Sequence, residues 1–188
     1  MRIVALVLTF VWLSACASSS PQSQGPRTPQ SPWSGNSITR GEVRNVTLQE
    51  WAKAVNRGTC SPLAFSSLDA GEGATPRPAN FSGGWAVAYD KPNAPGVFAN
   101  GEFCESCGRG AFGIAGTGLE ADAGSDPAGA ELMEWADGSR AALFLQGGTG
   151  PAHLAYLTVA GERCLYHVWT YLGHDHLEHL LGSLRYVE

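Results

Sequence analysis

Asp137-Gly138 constrains this chain more than any other pair of residues, because it stands between two segments patterned to pair with each other. An Asp-Gly pair accepts the positive backbone angles of a two-residue turn whose twist matches that of the flanking strands. Residues 131–136 and 139–146 are therefore expected to form an antiparallel hairpin, with Trp135 opposite Arg140. A second hairpin is expected around Ala160-Gly161, from residues 153–159 and 162–171. Upstream, residues 84–89 alternate large and small side chains as a half-buried strand does. Residues 97–103 and 111–117 carry weaker strand patterns diluted by glycine, and residues 61–80, rich in Gly, Pro and Ser, read as loop.

Helices are expected at both ends of these strands. Thr47-Leu48-Gln49-Glu50 has the spacing of a capping box, in which the hydroxyl and the carboxylate each satisfy a free backbone N–H. Leu48, Trp51, Ala52 and Val55 then fall at i, i+3, i+4 and i+7 on one apolar face, with Gly58 as the stop. Near the C-terminus, Leu177, Leu180, Leu181 and Leu184 form a similar stripe over residues 176–184. Asp175 and Glu178 before it repeat the capping-box spacing. The expected fold is α+β: an antiparallel meander of about five to seven strands flanked by an N-terminal and a C-terminal helix.

The N-terminus carries an address. Met1-Arg2 gives a basic start, residues 3–13 are apolar except for Thr9, and small residues follow. This is the layout of a secretory signal. The apolar run is shorter than the roughly 20 residues a helix needs to span the hydrocarbon. Leu13-Ser14-Ala15-Cys16 resembles the lipobox of bacterial lipoproteins. That resemblance implies cleavage before Cys16 and acylation of that cysteine with two or three chains, a firmer anchor than the marginal hold of one chain. It implies a cell-envelope location, with the outer membrane favoured by Ala17 where two membranes exist.

Residues 16–45 follow as an expected tether of Ser, Pro, Gln and Gly, with little to bury apart from Trp33 and Ile38. As a flexible coil it would reach roughly 30 Å. The division expected is thus residues 1–15 as signal, 16–45 as lipidated tether and 46–188 as one domain. That domain holds eight Lys or Arg against sixteen Asp or Glu, a formal charge of −8. It lacks the basic footprint of nucleic-acid binding. Anionic headgroups would repel it, so membrane contact is assigned to the acyl chains on Cys16.

Setting Cys16 aside leaves Cys60, Cys104, Cys107 and Cys164. An even number in an exported chain favours disulfides, and four cysteines allow three connectivities. Joining Cys60 to Cys164 would close a long loop, leaving Cys104-Glu105-Ser106-Cys107 to close its own. The alternatives for this CxxC are thiol–disulfide exchange or half of a metal site. A redox pair usually opens a helix, which lowers the thiol pKa, and here Gly108-Arg109-Gly110 and a strand follow. A zinc site needs four ligands, of which a lone CxxC supplies two.

Other motifs lack the context that would give them meaning. Residues 108–113 match GxGxxG without the preceding strand and following helix of a dinucleotide site. His174-Asp175-His176-Leu177-Glu178-His179 is dense in metal-ligand types, yet the capping-box spacing assigns its acids to backbone amides. HExxH and GxSxG are absent from the sequence. Glu120, Asp122 and Asp126 lack EF-hand spacing. No catalytic, cofactor-binding or metal residue is assigned on this basis.

The lipobox, the Ser/Pro tether, the Gly-Trp strand, the meander and a closing helix that runs into Ser183-Leu184-Arg185-Tyr186-Val187 are together similar to the Mog1/PsbP-like group, including LpqN-type lipoproteins. The similarity is architectural, and it implies a binding or assembly factor rather than an enzyme. The expectation is a membrane-anchored module that binds an envelope protein or a small molecule. A thiol–disulfide oxidoreductase using Cys104 and Cys107, or a metal-binding module using the C-terminal histidines, stands as the alternative.

Overall fold

The computed structural model describes residues 28–66, 73–81, 83–98, 100–121, 126–148 and 150–188. The signal sequence, Cys16 and Asp122 lie outside these residues.

Seven strands build one sheet: β2 (Thr75–Ala79), β3 (Trp85–Asp90), β6 (Phe112–Glu120), β7 (Glu131–Glu134), β8 (Arg140–Leu145), β9 (His153–Thr158) and β10 (Cys164–Thr170). Their order is β2-β3-β6-β10-β9-β8-β7, and each neighbouring pair is antiparallel. The last four strands are the expected meander of two hairpins. Two short strands, β4 (Gly96–Val97) and β5 (Phe103–Cys104), pair with each other as an excursion between β3 and β6. They stand where a single strand over 97–103 was expected. Two more, β1 (Leu63–Phe65) and β11 (Leu184–Tyr186), form a separate ladder. Residues 61–80 thus hold β1 and β2 rather than loop alone. Strand β2 escapes its own sequence because Pro76 and Pro78 cannot donate to a ladder, which confines it to the sheet edge.

Helices α1 (Glu42–Lys53) and α2 (His174–Ser183) cover one face of the sheet, α1 over β2 and β3, α2 over β9 and β10. Beneath them Trp85, Tyr89, Phe112 and Tyr166 are almost wholly buried with Leu177, Leu180 and Leu181, the leucine stripe read from the sequence. Tyr89 stacks on Phe112 with ring centroids 4.9 Å apart.

Glycine in β6 is what admits two tryptophans. A Cβ on Gly116 would lie 2.4 Å from the Trp85 indole on the covered face. One on Gly113 would lie 2.1 Å from that of Trp169 on the opposite face. The residues that weaken β6 as a strand pattern are the ones that let large rings lie across it.

Both helix starts differ from expectation. Helix α1 begins after Gly41, at φ 99°, a conformation glycine adopts freely, and no side chain caps it. Thr47 is instead buried in mid-helix, its hydroxyl donating to the Val43 carbonyl at 2.8 Å. The inward face is Val43, Val46, Thr47, Trp51 and Ala54, while Val55 is 89% exposed. The helix also ends at Lys53, before Gly58. Helix α2 likewise starts after Gly173 at φ 106°, and Asp175 points into solvent rather than capping it.

Residues 28–45 are packed rather than extended as a tether. Trp33 is buried, meets Trp135 edge-on at 4.9 Å and donates its indole N–H to Asp137 at 3.1 Å. Ala136 N–H donates to the Pro29 carbonyl, and Ile38 bridges in parallel to Val187. The two apolar residues of the expected tether are thus its docking points, with Asp137-Gly138 as the receiving turn. In that turn Trp135 faces Ser139 and Arg140 faces Glu134, one residue off the expected register. Trp135 packs edge-on against Trp33 rather than stacking on Arg140.

Cys60 and Cys164 are joined, with Cα atoms 4.8 Å apart, and so are Cys104 and Cys107, at 5.4 Å. The first bridge pins the end of the α1 region to β10 in the core. Beside it the Glu162 carboxylate accepts hydrogen bonds from Tyr166, Tyr186 and the Ser61 N–H. No described helix is long and apolar enough to cross a membrane.

Candidate functional site: the open face of the sheet

The face opposite the helices should be polar if it merely met water, since an antiparallel sheet with one covered face alternates apolar and polar positions. Here it does not. Strand β10 turns Leu165, His167 and Trp169 outward, β9 turns Leu154, Tyr156 and Thr158, and β8 turns Ala142 and Phe144. Phe81, on the connection between β2 and β3, folds over their middle. The rings form a chain of edge contacts: Phe144 with Tyr156 at 4.8 Å, Tyr156 with His167 at 5.2 Å, and His167 with Phe81 at 5.8 Å and Trp169 at 6.3 Å.

Two cavities flank this ring row. The larger, about 310 Å³, is lined by Phe81, Leu119, Tyr156, Leu165, His167 and the Arg140–Asp126 ion pair. The smaller, about 240 Å³, lies among Phe81, Leu154, His167, Trp169 and Gln146. Phe81 and His167 form the wall between them. The larger cavity reaches the lower end of the size range of known small-molecule sites, which are mostly apolar with a few polar groups that fix orientation.

His167 is the polar centre of the face. Its Nε2 atom is buried and has no hydrogen-bond partner. Burial among the rings pushes the imidazole pKa down to about 4, so it is neutral near pH 7. A buried polar atom without a partner is uncommon in folded proteins. Asn56 Oδ1 and Trp85 Nε1 are further cases here, and His167 is distinguished from them by lining both cavities, where a ligand could supply the partner. The charged groups at the rim, Arg140 and Asp126, neutralise each other.

Of the residues singled out in the sequence, Asp126 and Arg140 lie at the rim of the larger cavity and the others lie elsewhere. Cys104 and Cys107 are bridged and buried in the β4–β5 excursion, and a turn follows them rather than a helix. In the GxGxxG segment, Gly108 accepts from Lys91 N–H and Gly110 donates to Asp90 at 2.6 Å, which closes a turn into β6. His176 turns inward to the Thr170 hydroxyl at 2.9 Å and against Phe112, while His179 is exposed. His174 faces Glu131 on β7 at 3.2 Å, a partner 43 residues away. Asp126 pairs with Arg140. Phe81, Tyr156 and His167 belong to no motif in the sequence. The available signal was the run of large residues at the outward positions of β10, where a solvated face needs none.

No family model matches the chain, and neither a curated protein nor a solved structure matches it.

Proposed function

We propose that this chain is a membrane-anchored binding module, acylated at Cys16, whose ligand site is the open face of the sheet. The ligand class is a neutral, mostly apolar small molecule carrying one hydrogen-bonding group. The observation that carries this reading is the unpartnered His167 Nε2 at the centre of an aromatic face. Apolar walls favour an apolar body, and a neutral imidazole favours a hydroxyl or amide over a charged group. The acidic domain and the internally neutralised Arg140 argue against an anion. Phe81 is the gate in this reading: Nε2 is covered, and the wall ring between the cavities must rotate for a ligand to reach it. Binding without chemistry is proposed, because no nucleophile with an activating base faces the cavities among the described residues.

The test uses N-phenyl-1-naphthylamine, a neutral aromatic probe with one N–H, titrated into the mature protein. Saturable fluorescence enhancement with one site per chain is expected. Tyr156→Glu and Leu119→Glu should each abolish it, the latter at a position already 58% exposed and so tolerant of charge. Absence of saturable binding, or binding unaltered in both variants, would overturn the reading.

A further inference from the structure

The other side of the molecule carries a different arrangement, independent of the groove. His174 and Glu178 lie one turn apart on α2, the i, i+4 relation that stacks two side chains on one helix face. Glu131, on the edge strand β7, completes a group whose three ligand atoms all lie within 4.8 Å of one another. The His174 Nε2 to Glu131 Oε2 distance is 3.2 Å. Two ligands on a tetrahedral zinc, each about 2.0–2.2 Å from the ion, stand about 3.3 Å apart. The pair is therefore already at coordination spacing.

We infer that Glu131, His174 and Glu178 form a binding site for a divalent transition-metal ion of the zinc class. One imidazole and two carboxylates suit such an ion and leave a fourth position for water. His153 lines a cavity together with Glu131 and His174, its ring centroid 6.0 Å from that of His174. The charges balance in the ion's favour. The N-terminus of α2 is the positive end of its dipole and opposes a cation at His174. Glu131 and Glu178 outweigh that partial charge, and Asp175, 3.9 Å from the His174 Nδ1, adds a further negative charge behind the ring. Of the histidine cluster in the sequence, His174 belongs to this group. The fold removes His176 to Thr170 and His179 to solvent, and brings Glu131 in from the sheet.

The test is calorimetric titration of zinc chloride into chelator-treated mature protein, with cobalt(II) absorption as a second readout of coordination. One ion per chain is expected. His174→Gln and Glu178→Gln should each weaken binding by about tenfold or more, since even outer partners of metal ligands are worth 10–100-fold. His179→Gln, on the same helix but outside the group, should bind as wild type. Circular dichroism of each variant separates ligand loss from unfolding. Failure to bind zinc, undiminished affinity in both His174→Gln and Glu178→Gln, or loss confined to His179→Gln would overturn the proposal.

Discussion

The two faces of the seven-stranded sheet are built from alternate residues of the same strands, yet they are finished differently. On the covered face every large ring is closed over by α1, α2 or the β1–β11 ladder, and Trp85, Tyr89, Phe112 and Tyr166 are almost wholly buried. On the open face the rings of Tyr156, His167 and Trp169 are only partly covered, and one buried imidazole nitrogen is left without a partner. The covered face is closed over by these elements, although Trp85 Nε1 there is also buried without a hydrogen-bond partner. The open face holds apolar surface that nothing among the described residues closes, which is how recognition surfaces differ from cores. Perturbing the first should cost stability, and perturbing the second should cost binding.

The largest expected effect lies on the covered side. Removing the Cys60–Cys164 bridge by a paired change to alanine frees a loop of sequence separation 104. A loop of that size corresponds to about 4–5 kcal/mol in the chain-entropy account. Denaturant melts of the two forms measure it. A cost below about 1 kcal/mol would show that this core is closed by packing alone.

Trp33→Ala should follow, at about 3–4 kcal/mol, because it empties the contact with Trp135 and leaves Asp137 without its indole donor. A tether residue would cost almost nothing, so thermal melting of this one variant decides whether residues 28–45 belong to the domain.

A smaller effect belongs to the open face and is read from pH. His167 titrates at about 4 in the folded chain, below its ordinary 6.5, because burial disfavours the imidazolium. The unfolded chain therefore takes up this proton first as pH falls. Stability from this group is complete above about pH 6.5 and is lost progressively down to about pH 4, by about 3 kcal/mol in all. His153 is shifted in the same direction, by burial and by His174. His167→Phe should flatten most of that acid dependence in urea melts at a series of pH values. An unchanged profile would mean that the imidazole is hydrated rather than enclosed.

Much of this architecture is legible in the sequence, for identifiable reasons. The two hairpins declare themselves through period-two patterning and Asp137-Gly138, and the α2 leucines through their spacing. The helix starts do not, because Gly41 and Gly173 leave no capping side chain to read, and Thr47 and Asp175 imitate caps they do not make. Trp33 and Ile38 look isolated in a Ser/Pro context, since their partners Trp135 and Val187 lie more than a hundred residues away. The open-face site is hidden for a related reason. Phe81, Tyr156 and His167 come from three segments, and each alone reads as an ordinary strand or loop residue. Glu131 is likewise distant in sequence from His174, by 43 residues.

In the proposed function the open face, and not the covered one, receives a ligand. Two-dimensional ¹⁵N NMR of the mature protein, titrated with N-phenyl-1-naphthylamine, tests it most directly. Shifts are expected to cluster on Phe81, Leu119, Tyr156, Leu165, His167 and the Trp169 indole, with the His167 ring nitrogens moving together with them. Shifts clustered on α1 and α2, or none at saturating probe, would contradict it.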